Sequence, residues 1–283
     1  MRTAMHVLSL ALALCLSACA PWPAVPVVAA EHAVALPLSA AELAQARQAL
    51  APTGTLRVGV YPGSPTSLVI HPQTGERAGV ALALGQLMGQ QLGVPVQVVE
   101  LARVAEIIAA IQRGEVDMTF TNASPARARD IDFSRTLVQL ELGLLLPQGA
   151  NITQLAQVDR AGVRVGVSQG SSSQGVLTSQ LQQAQVVPVA SLALAQQMLQ
   201  NKQLDAFATN KGILFEMRDK LPGFSVSDDR WGLENLAIAV PKGRTAGQAF
   251  LTAFADQVTR SGRLALMAQR AGLRGLAPPA QAD

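Results

Sequence analysis

The chain has 283 residues, of which 49% are hydrophobic, 14% charged and 4% aromatic. Ample apolar content excludes a disordered chain, and the length suggests two domains of roughly 150 residues each. The 22 Lys and Arg residues and 19 Asp and Glu residues give a net charge of +3 without a basic run, so we expect no nucleic-acid partner. So few aromatic rings argue against a site that stacks sugars or cages quaternary ammonium groups.

The first 18 residues are typical of a secretory signal peptide. They begin with the charged Arg2, continue through an apolar stretch over residues 7–16 and end in small residues. The apolar stretch is too short to span a membrane. We therefore expect export, with residues 1–18 removed.

The leader ends in a pattern that resembles the lipobox of bacterial lipoproteins. Residues 16–19 read LSAC, which would make Cys19 the lipid attachment point, whereas cleavage after Ala20 or Ala30 is the alternative. Residues 19–52 are then expected to be a lipid-anchored tether and leading segment, which places the protein in the periplasm, bound to a membrane. Neither of the two cysteines lies beyond residue 19, so we expect no disulfide in the folded body.

The body of the chain contains two halves that repeat each other. Residues 56–61 (LRVGVY) match residues 163–168 (VRVGVS), and residues 117–122 (DMTFTN) match residues 205–210 (DAFATN). Each run has the apolar character of a buried strand that ends in a polar turn. The repetition predicts two similar lobes.

Amphipathic helices are predicted between these strands, because apolar residues recur at helical spacing. The residues that carry the pattern are Val80, Leu84, Leu87 and Met88 in the first half and Leu192, Ala195, Met198 and Leu199 in the second. Alternation of strands and helices predicts an α/β fold with a mainly parallel sheet in each lobe. Ligands of such sheets bind beyond the carboxyl ends of the strands, where Tyr61, Asn122, Ser168 and Asn210 fall.

Two further apolar runs predict a double hinge between the lobes. Residues 142–149 (LGLLLPQG) and 236–243 (LAIAVPKG) each end in Pro-x-Gly. If the chain leaves lobe 1 through the first run and returns through the second, lobe 2 covers residues 144–238. Lobe 1 is then discontinuous, over residues 53–143 and 239–283, and hinge closure is the expected motion.

Two smaller features complete the predicted architecture. A turn-rich insert around residues 71–76 predicts a loop or hairpin in lobe 1. Residues 245–261 and 263–271 predict two helices that pack back on lobe 1.

This arrangement resembles the family 3 extracellular solute-binding proteins, the periplasmic receptors of ABC importers, over about residues 53–276. The most specific stretches are residues 110–117 (AIQRGEVD) and 124–134 (SPARARDIDFS), with weaker matches at 165–172 (VGVSQGSS) and 239–243 (AVPKG). The resemblance implies a two-lobed, periplasmic-binding-protein-like fold of type II. It implies a monomer that delivers a small carboxylate-bearing polar solute, an amino acid or related compound, to an inner-membrane ABC permease, without a cofactor or a metal.

The resemblance also implies which residues bind. Arg127 takes the position of the arginine that forks onto the carboxylate of the ligand, a geometry suited to a planar guanidinium, and Arg129 is its neighbour without that role. Asn122 and the backbone of Phe120 would lie beside the same carboxylate. Further residues expected to line the site are Tyr61, Ser64, Ser171, Ser172, Asn210 and Trp231.

One departure from the family pattern bears on the ligand. The aspartate that pairs with an α-ammonium group in the family falls at Asn210, so the charge that would recognise the amine of an ordinary α-amino acid is missing at this position. Asn210 and Lys211 favour instead an anionic or zwitterionic ligand that lacks a primary amine, with a surface role as the alternative for Lys211.

The sequence also contains features of other function classes. Residues 166–170 fit the G-x-S-x-G nucleophile elbow, but all three histidines precede the serine, which excludes hydrolase chemistry by chain order. His71 has no partner for a zinc site. A dehydratase-type enzyme on the same scaffold stays open, with Glu100, Asp228, Asp229 or Glu234 as its acid-base group, and so does a periplasmic sensory receptor.

Overall fold

The computed structural model describes residues 36–150, 152 and 154–278. The predicted signal peptide, Cys19 and most of the predicted tether lie outside these residues. No helix in the described ranges is both long enough and apolar enough to cross a bilayer.

The chain forms lobe 1 and then crosses once to lobe 2. The elements on this first pass are α1 (Ala40–Leu50), β1 (Leu56–Val60), β2 (Val69–Ile70), β3 (Arg77–Ala78), α2 (Val80–Leu92), β4 (Val96–Glu100), α3 (Val104–Gln112), β5 (Thr119–Asn122), α4 (Pro125–Ala128), β6 (Ile131–Phe133) and the crossing strand β7 (Val138–Pro147).

Lobe 2 follows, and a second long strand returns the chain to lobe 1. These elements are β8 (Arg164–Ser168), α5 (Ser172–Gln180), β9 (Gln185–Val189), α6 (Leu192–Gln200), β10 (Ala206–Asn210), α7 (Lys211–Lys220), β11 (Phe224–Val226), the crossing strand β12 (Gly232–Pro241), α8 (Gln248–Arg260) and α9 (Arg263–Arg270). The predicted hairpin insert is confirmed as β2 and β3, and the two C-terminal helices as α8 and α9.

Helix α1 was not predicted and belongs to the body of the protein. Ser39 and Glu42 form a capping box, in which each side chain accepts a hydrogen bond from the backbone N–H of the other. Ala46 and Leu50 are buried in the apolar core of lobe 1. The last part of the predicted leading segment is therefore packed structure rather than tether.

Both sheets have the same plan. In lobe 1, β1 pairs in parallel with β4, a parallel bridge from Val58 to Met118 places β5 beside β1, and β12 runs antiparallel to β5. In lobe 2, β8 pairs in parallel with β9 and with β10, and β7 runs antiparallel to β10. The predicted α/β fold is confirmed, with a parallel core in each lobe to which the antiparallel crossing strands are added.

The two crossing strands pair with each other and join the sheets. Residues 138–142 of β7 pair with β12, whereas residues 142–145 pair with β10. Residues 236–239 of β12 already pair with β5 of lobe 1. Both strands begin before the predicted runs, and this register favours a second crossing nearer to Gly232 than the predicted boundary at 238/239.

Each lobe contains the same arginine–aspartate clamp, which shows that the sequence repeat is structural. In lobe 1, the backbone N–H and Nε of Arg57 donate to Oδ2 of Asp117, and Nη2 donates to Oδ1. In lobe 2, Arg164 makes the same three hydrogen bonds to Asp205. The clamp fixes the first strand of each sheet to the start of its third strand, whose far end reaches the gap between the lobes.

The segment after α9 adds a third connection between the lobes. Leu276 forms an antiparallel bridge with Leu140 of β7, and the N–H of Glu141 donates to the carbonyl of Gly275 at 2.9 Å. Arg274 forms an ion pair with Asp219 of α7. The C-terminal segment therefore lies against both the hinge and lobe 2.

Candidate functional site

A narrow cavity of about 30 Å³ lies between the lobes, at the carboxyl ends of their parallel strands. Both lobes and the crossing strand β12 supply its wall. The lining residues are Tyr61, Thr66, Val104, Phe120, Thr121, Asn122 and Arg127 of lobe 1, Ser168, Ser171, Ser172, Thr209, Asn210 and Ile213 of lobe 2, and Glu234 and Leu236 of β12. Residues of both lobes face each other across this small volume, so the lobes are closed on each other.

Close contacts at the rim of the cavity confirm the closed arrangement. Arg103 of lobe 1 reaches the carbonyl of Ala190 in lobe 2, with 3.5 Å between Nη1 and O. A Cβ atom placed on Gly170 would lie 2.5 Å from Cβ of Ala105 on the facing helix α3. The two rims touch, and a larger molecule can enter only if the lobes separate.

Arg127 supplies the positive charge of the cavity. It lies in α4, a single turn that Ser124 caps and Pro125 begins. Its Nη1 donates to Oγ1 of Thr121 at 2.9 Å and to the carbonyl of Asn122 at 3.3 Å. No described residue accepts from Nε or Nη2, and burial lowers the pKa of the guanidinium, which Glu234 partly opposes. Two donors of a planar cation are thus free for a ligand.

Lobe 2 faces Arg127 with the beginning of α5. Ser171 caps the helix, since its Oγ accepts from the N–H of Gln174 at 3.1 Å. The Oγ of Ser172 is buried and has no hydrogen-bond partner among the described residues. A helix N-terminus presents N–H groups and a partial positive charge, so this wall also favours an anionic group.

Glu234 supplies the negative charge, from the crossing strand β12. The residue is 8% exposed, and its Oε2 accepts a hydrogen bond from Nδ2 of Asn210 at 2.9 Å. Burial raises the pKa of this carboxyl, whereas Asn210 and the positive charge of Arg127 act in the opposite direction. The cavity therefore contains one basic and one acidic side chain that do not form an ion pair with each other among the described residues.

Tyr61 closes the lobe 1 side of the cavity. Its backbone N–H donates to Oγ of Ser67 at 2.8 Å, and burial raises the pKa of its phenol. Ser64 lies behind it rather than in the wall, fully buried, with 2.8 Å between its Oγ and Oγ1 of Thr66. The structure does not bring Ser64 into this wall, because the turn after Tyr61 directs its side chain into lobe 1.

The structure does not bring Trp231 into this wall either. It lines a different cavity, of about 460 Å³, together with Leu144, Leu155 and other residues of lobe 2. Its Nε1 donates to the carbonyl of Gly143 at 2.9 Å. The indole is thus held against the first crossing strand and does not face Arg127.

The other predicted residues come together as expected, namely Tyr61, Phe120, Asn122, Arg127, Ser171, Ser172 and Asn210. Lys211 does not join them, because its Nζ donates to Glu141 and to the carbonyl of Asp228. Asn210 caps α7 through Oδ1, and Oδ1 of Asn122 accepts from the N–H of Asn235.

Sequence reasoning missed several members of the wall. Thr66, Thr121 and Thr209 contribute hydroxyl groups, and the last two stand in the matching Thr-Asn pairs at the ends of β5 and β10, which was an available signal. Of the four carboxylates considered for catalysis, Glu234 lies in the cavity, whereas Glu100, Asp228 and Asp229 do not.

No metal site accompanies the cavity in the part of the chain that the structure describes. Those residues contain no group of three or more His, Cys, Asp and Glu side chains that could hold an ion. His71 lies in the exposed hairpin, where Thr74 is its hydrogen-bond partner.

Residues 56–272 match the sequence profile of the bacterial extracellular solute-binding proteins, family 3. Over 161 residues the chain is 27% identical to the ABC transporter glutamine-binding protein GlnH of Bacillus subtilis, and this match covers 55% of the chain and 58% of GlnH. The chain thus matches little more than half of that relative's length.

Several solved structures have a similar fold. An amino acid ABC transporter substrate-binding protein from Streptococcus pneumoniae bound to L-arginine has a TM-score of 0.71 at 18% identity, covering 83% of this chain and 99% of that one. The solute receptor for L-cysteine of Neisseria gonorrhoeae has a TM-score of 0.71 at 21% identity, with the same coverage of both chains. The ancestral amino acid-binding protein AncCDT-1, a precursor of cyclohexadienyl dehydratase, has 0.68 at 23%, covering 78% and 96%. At these identities the likeness shows the fold.

Proposed function

The chain belongs to family 3 of the bacterial extracellular solute-binding proteins, and on that premise we propose that it captures a small carboxylate-bearing amino acid and presents it to an ABC importer. Capture takes place by closure of the two lobes. The names of its relatives, which include binding proteins for glutamine, arginine and cysteine, support an amino acid as the class of ligand.

The observation that carries this proposal is that two guanidinium nitrogens of Arg127 have no hydrogen-bond partner among the described residues around the closed cavity. Its Nη1 is held by Thr121 and Asn122, while Nε and Nη2 lie free for the two oxygens of a carboxylate. The capped start of α5 lies across the cavity, so closure surrounds the anion with donors from both lobes. A ligand that gains these contacts only in the closed state shifts the population toward it.

The test is replacement of Arg127 by Ala and by Lys, with Arg129→Ala as the matched control. Arg129 is exposed, two residues further along, and its Nε reaches only the carbonyl of Ala126. Loss of hydrogen bonds between charged groups should weaken calorimetric affinity for the best binder among the standard L-amino acids by about 100-fold or more in Arg127→Ala. Lysine should restore part of it, and an unchanged affinity in Arg127→Ala would reject the proposal.

The proposal also includes a lipid anchor on Cys19 and an ABC permease as the membrane partner. A lipid on Cys19 would hold a monomeric receptor at the membrane, within reach of the permease, with the residues before α1 as the tether. The variant Cys19→Ser should move from the membrane fraction to the soluble periplasmic fraction. Persistence of the variant in washed membranes would contradict lipid anchoring without affecting the assignment of the cleft.

An enzyme is the second candidate function, and Glu234 is the observation that favours it. A buried carboxyl with a raised pKa in a closed cleft is suited to act as a general acid. Mass spectrometry of each ligand after incubation with the protein separates the two functions, since a binding protein returns the ligand unchanged.

A further inference from the structure

We infer that Glu234 selects ligands that carry an amine, so that the solute is a zwitterion held between Arg127 and Glu234. This inference rests on the proposed function, because it assumes that Arg127 takes the carboxylate. It differs from the expectation drawn from Asn210 and Lys211, which favoured a ligand without a primary amine.

The first argument is the position of Glu234 and the state of its oxygens. It lies on β12 opposite Leu140, where the two crossing strands pair, and its side chain enters the cavity from the hinge. Oε2 accepts one hydrogen bond, from Asn210, and no described residue donates to Oε1. A buried carboxylate without a cationic partner is unfavourable, so the site is incomplete without a donor.

The second argument is that Asn210 is a positioning residue for Glu234. Its Oδ1 must accept from the N–H of Ile213 to cap α7, at 3.1 Å, which turns Nδ2 toward the carboxylate. Each polar atom of the amide thereby makes one hydrogen bond within the protein. Asn210 consequently orients the anion, and the full negative charge available to an ammonium group is that of Glu234.

The third argument is charge balance in the closed cavity. A ligand with only a carboxylate would satisfy Arg127 and add a second negative charge near Glu234. A ligand with both a carboxylate and an ammonium group pairs each buried charge with its opposite. The carboxylate of such a ligand meets the side of Arg127 and Ser172, and its ammonium group meets Oε1 of Glu234.

The test uses Glu234→Gln, which keeps an oxygen for Nδ2 of Asn210 but removes the charge, with the exposed Glu76→Gln as control. Calorimetry is carried out on the full chain with the best-binding standard L-amino acid and with its α-hydroxy analogue, in which a hydroxyl replaces the ammonium group. We expect the parent protein to prefer the amino acid, and Glu234→Gln to lose about 10- to 100-fold for it but little for the hydroxy acid.

Two outcomes would overturn the inference. One is an equal loss for both ligands in Glu234→Gln, which would assign the residue a structural role. The other is a parent protein that binds the hydroxy acid as tightly as the amino acid. Both leave the loss of binding in Arg127→Ala intact, so they are distinguishable from failure of the proposed function.

A third variant probes the positioning role of Asn210. Asn210→Asp places a second carboxylate against Glu234, and like charges at this distance disfavour ionisation of one of them. We expect weaker binding of the amino acid at neutral pH, because Asp removes the N–H that orients Glu234, whereas the proton shared by the pair leaves its net charge as in the parent. Tighter binding at neutral pH would show that residue 210 itself contacts the amine and would overturn the assignment to Glu234.

Discussion

The duplicated clamp provides a stability experiment with an internal control. Asp117→Asn and Asp205→Asn remove the same charge from the same contact in the two lobes. The side chain of Asp117 is fully buried and bridges Arg57 and Arg244, which are 19% and 14% exposed. The side chain of Asp205 is 41% exposed and pairs with Arg164 alone.

The surroundings of the two carboxylates set very different magnitudes. Asp117→Asn removes a fully buried anion from two arginines whose side chains are mostly buried, and breaking a buried pair in this way costs about 3–5 kcal/mol. Asp205→Asn breaks an exposed pair, whose contribution is about 0.2–1 kcal/mol because water and salt screen it. We therefore expect a large loss of unfolding free energy in lobe 1 and a small one in lobe 2.

Urea unfolding followed by circular dichroism at neutral pH measures both variants against the parent. If the lobes unfold separately, the first transition to shift identifies the affected lobe. Equal losses, or a larger loss for Asp205→Asn, would refute the reasoning that burial rather than hydrogen-bond number decides the contribution of the clamp.

Three further predictions address closure, packing and pH. Ala105→Phe should weaken ligand affinity without removing any polar group of the cavity, since Gly170 of lobe 2 lies directly against this side chain; small-angle scattering should show a more open molecule. Gly85→Ala should destabilise the protein in thermal unfolding, because its Cβ would lie 2.5 Å from Val58, whereas Gly175→Ala, also within a helix but in open space, should stabilise it by up to about 1 kcal/mol. Burial raises the pKa of the Glu234 carboxyl above 4.5, so the folded state binds the proton of this group more tightly than the unfolded state does. The free energy of unfolding should therefore fall as the pH rises from 4.5 through the raised pKa. Ligand-free Glu234→Gln should lack this loss when urea unfolding is measured across that pH range.

Much of the fold was predictable because the sequence contains two similar halves. The matching strands at residues 56–61 and 163–168 are β1 and β8, and each pairs in parallel with the next strand of its lobe. Helix α1 was missed although Ser39 and Glu42 carry the spacing of a capping box. Its weak apolar periodicity, with only Ala46 and Leu50 buried, gave no pattern to outweigh the neighbouring proline-rich segment.

The residues of the site were predictable from the sequence where they stand at strand ends. They were not predictable where the direction of a side chain decides whether it reaches the cavity. Tyr61, Asn122 and Asn210 reach the cavity because parallel strands end at a common edge. Ser64 and Trp231 stand near that edge in the sequence, but one points into lobe 1 and the other is held by the carbonyl of Gly143. Neither orientation follows from spacing, since each depends on a turn and a hydrogen bond formed in the folded chain.

A carboxylate supplied by the crossing strand β12, that of Glu234, explains why Asn rather than Asp stands at position 210. Viewed position by position, the sequence has lost the anion expected beside the ligand. In the folded chain Glu234 brings an anion to the same cavity from β12, and Asn210 donates a hydrogen bond to it. Two carboxylates there would repel each other and one would be forced to hold a proton, so an amide at position 210 leaves Glu234 as the one carboxylate among the described residues of the cavity wall. The neutral residue is thus a consequence of the relocated charge, and the cleft retains one cation and one anion for its ligand.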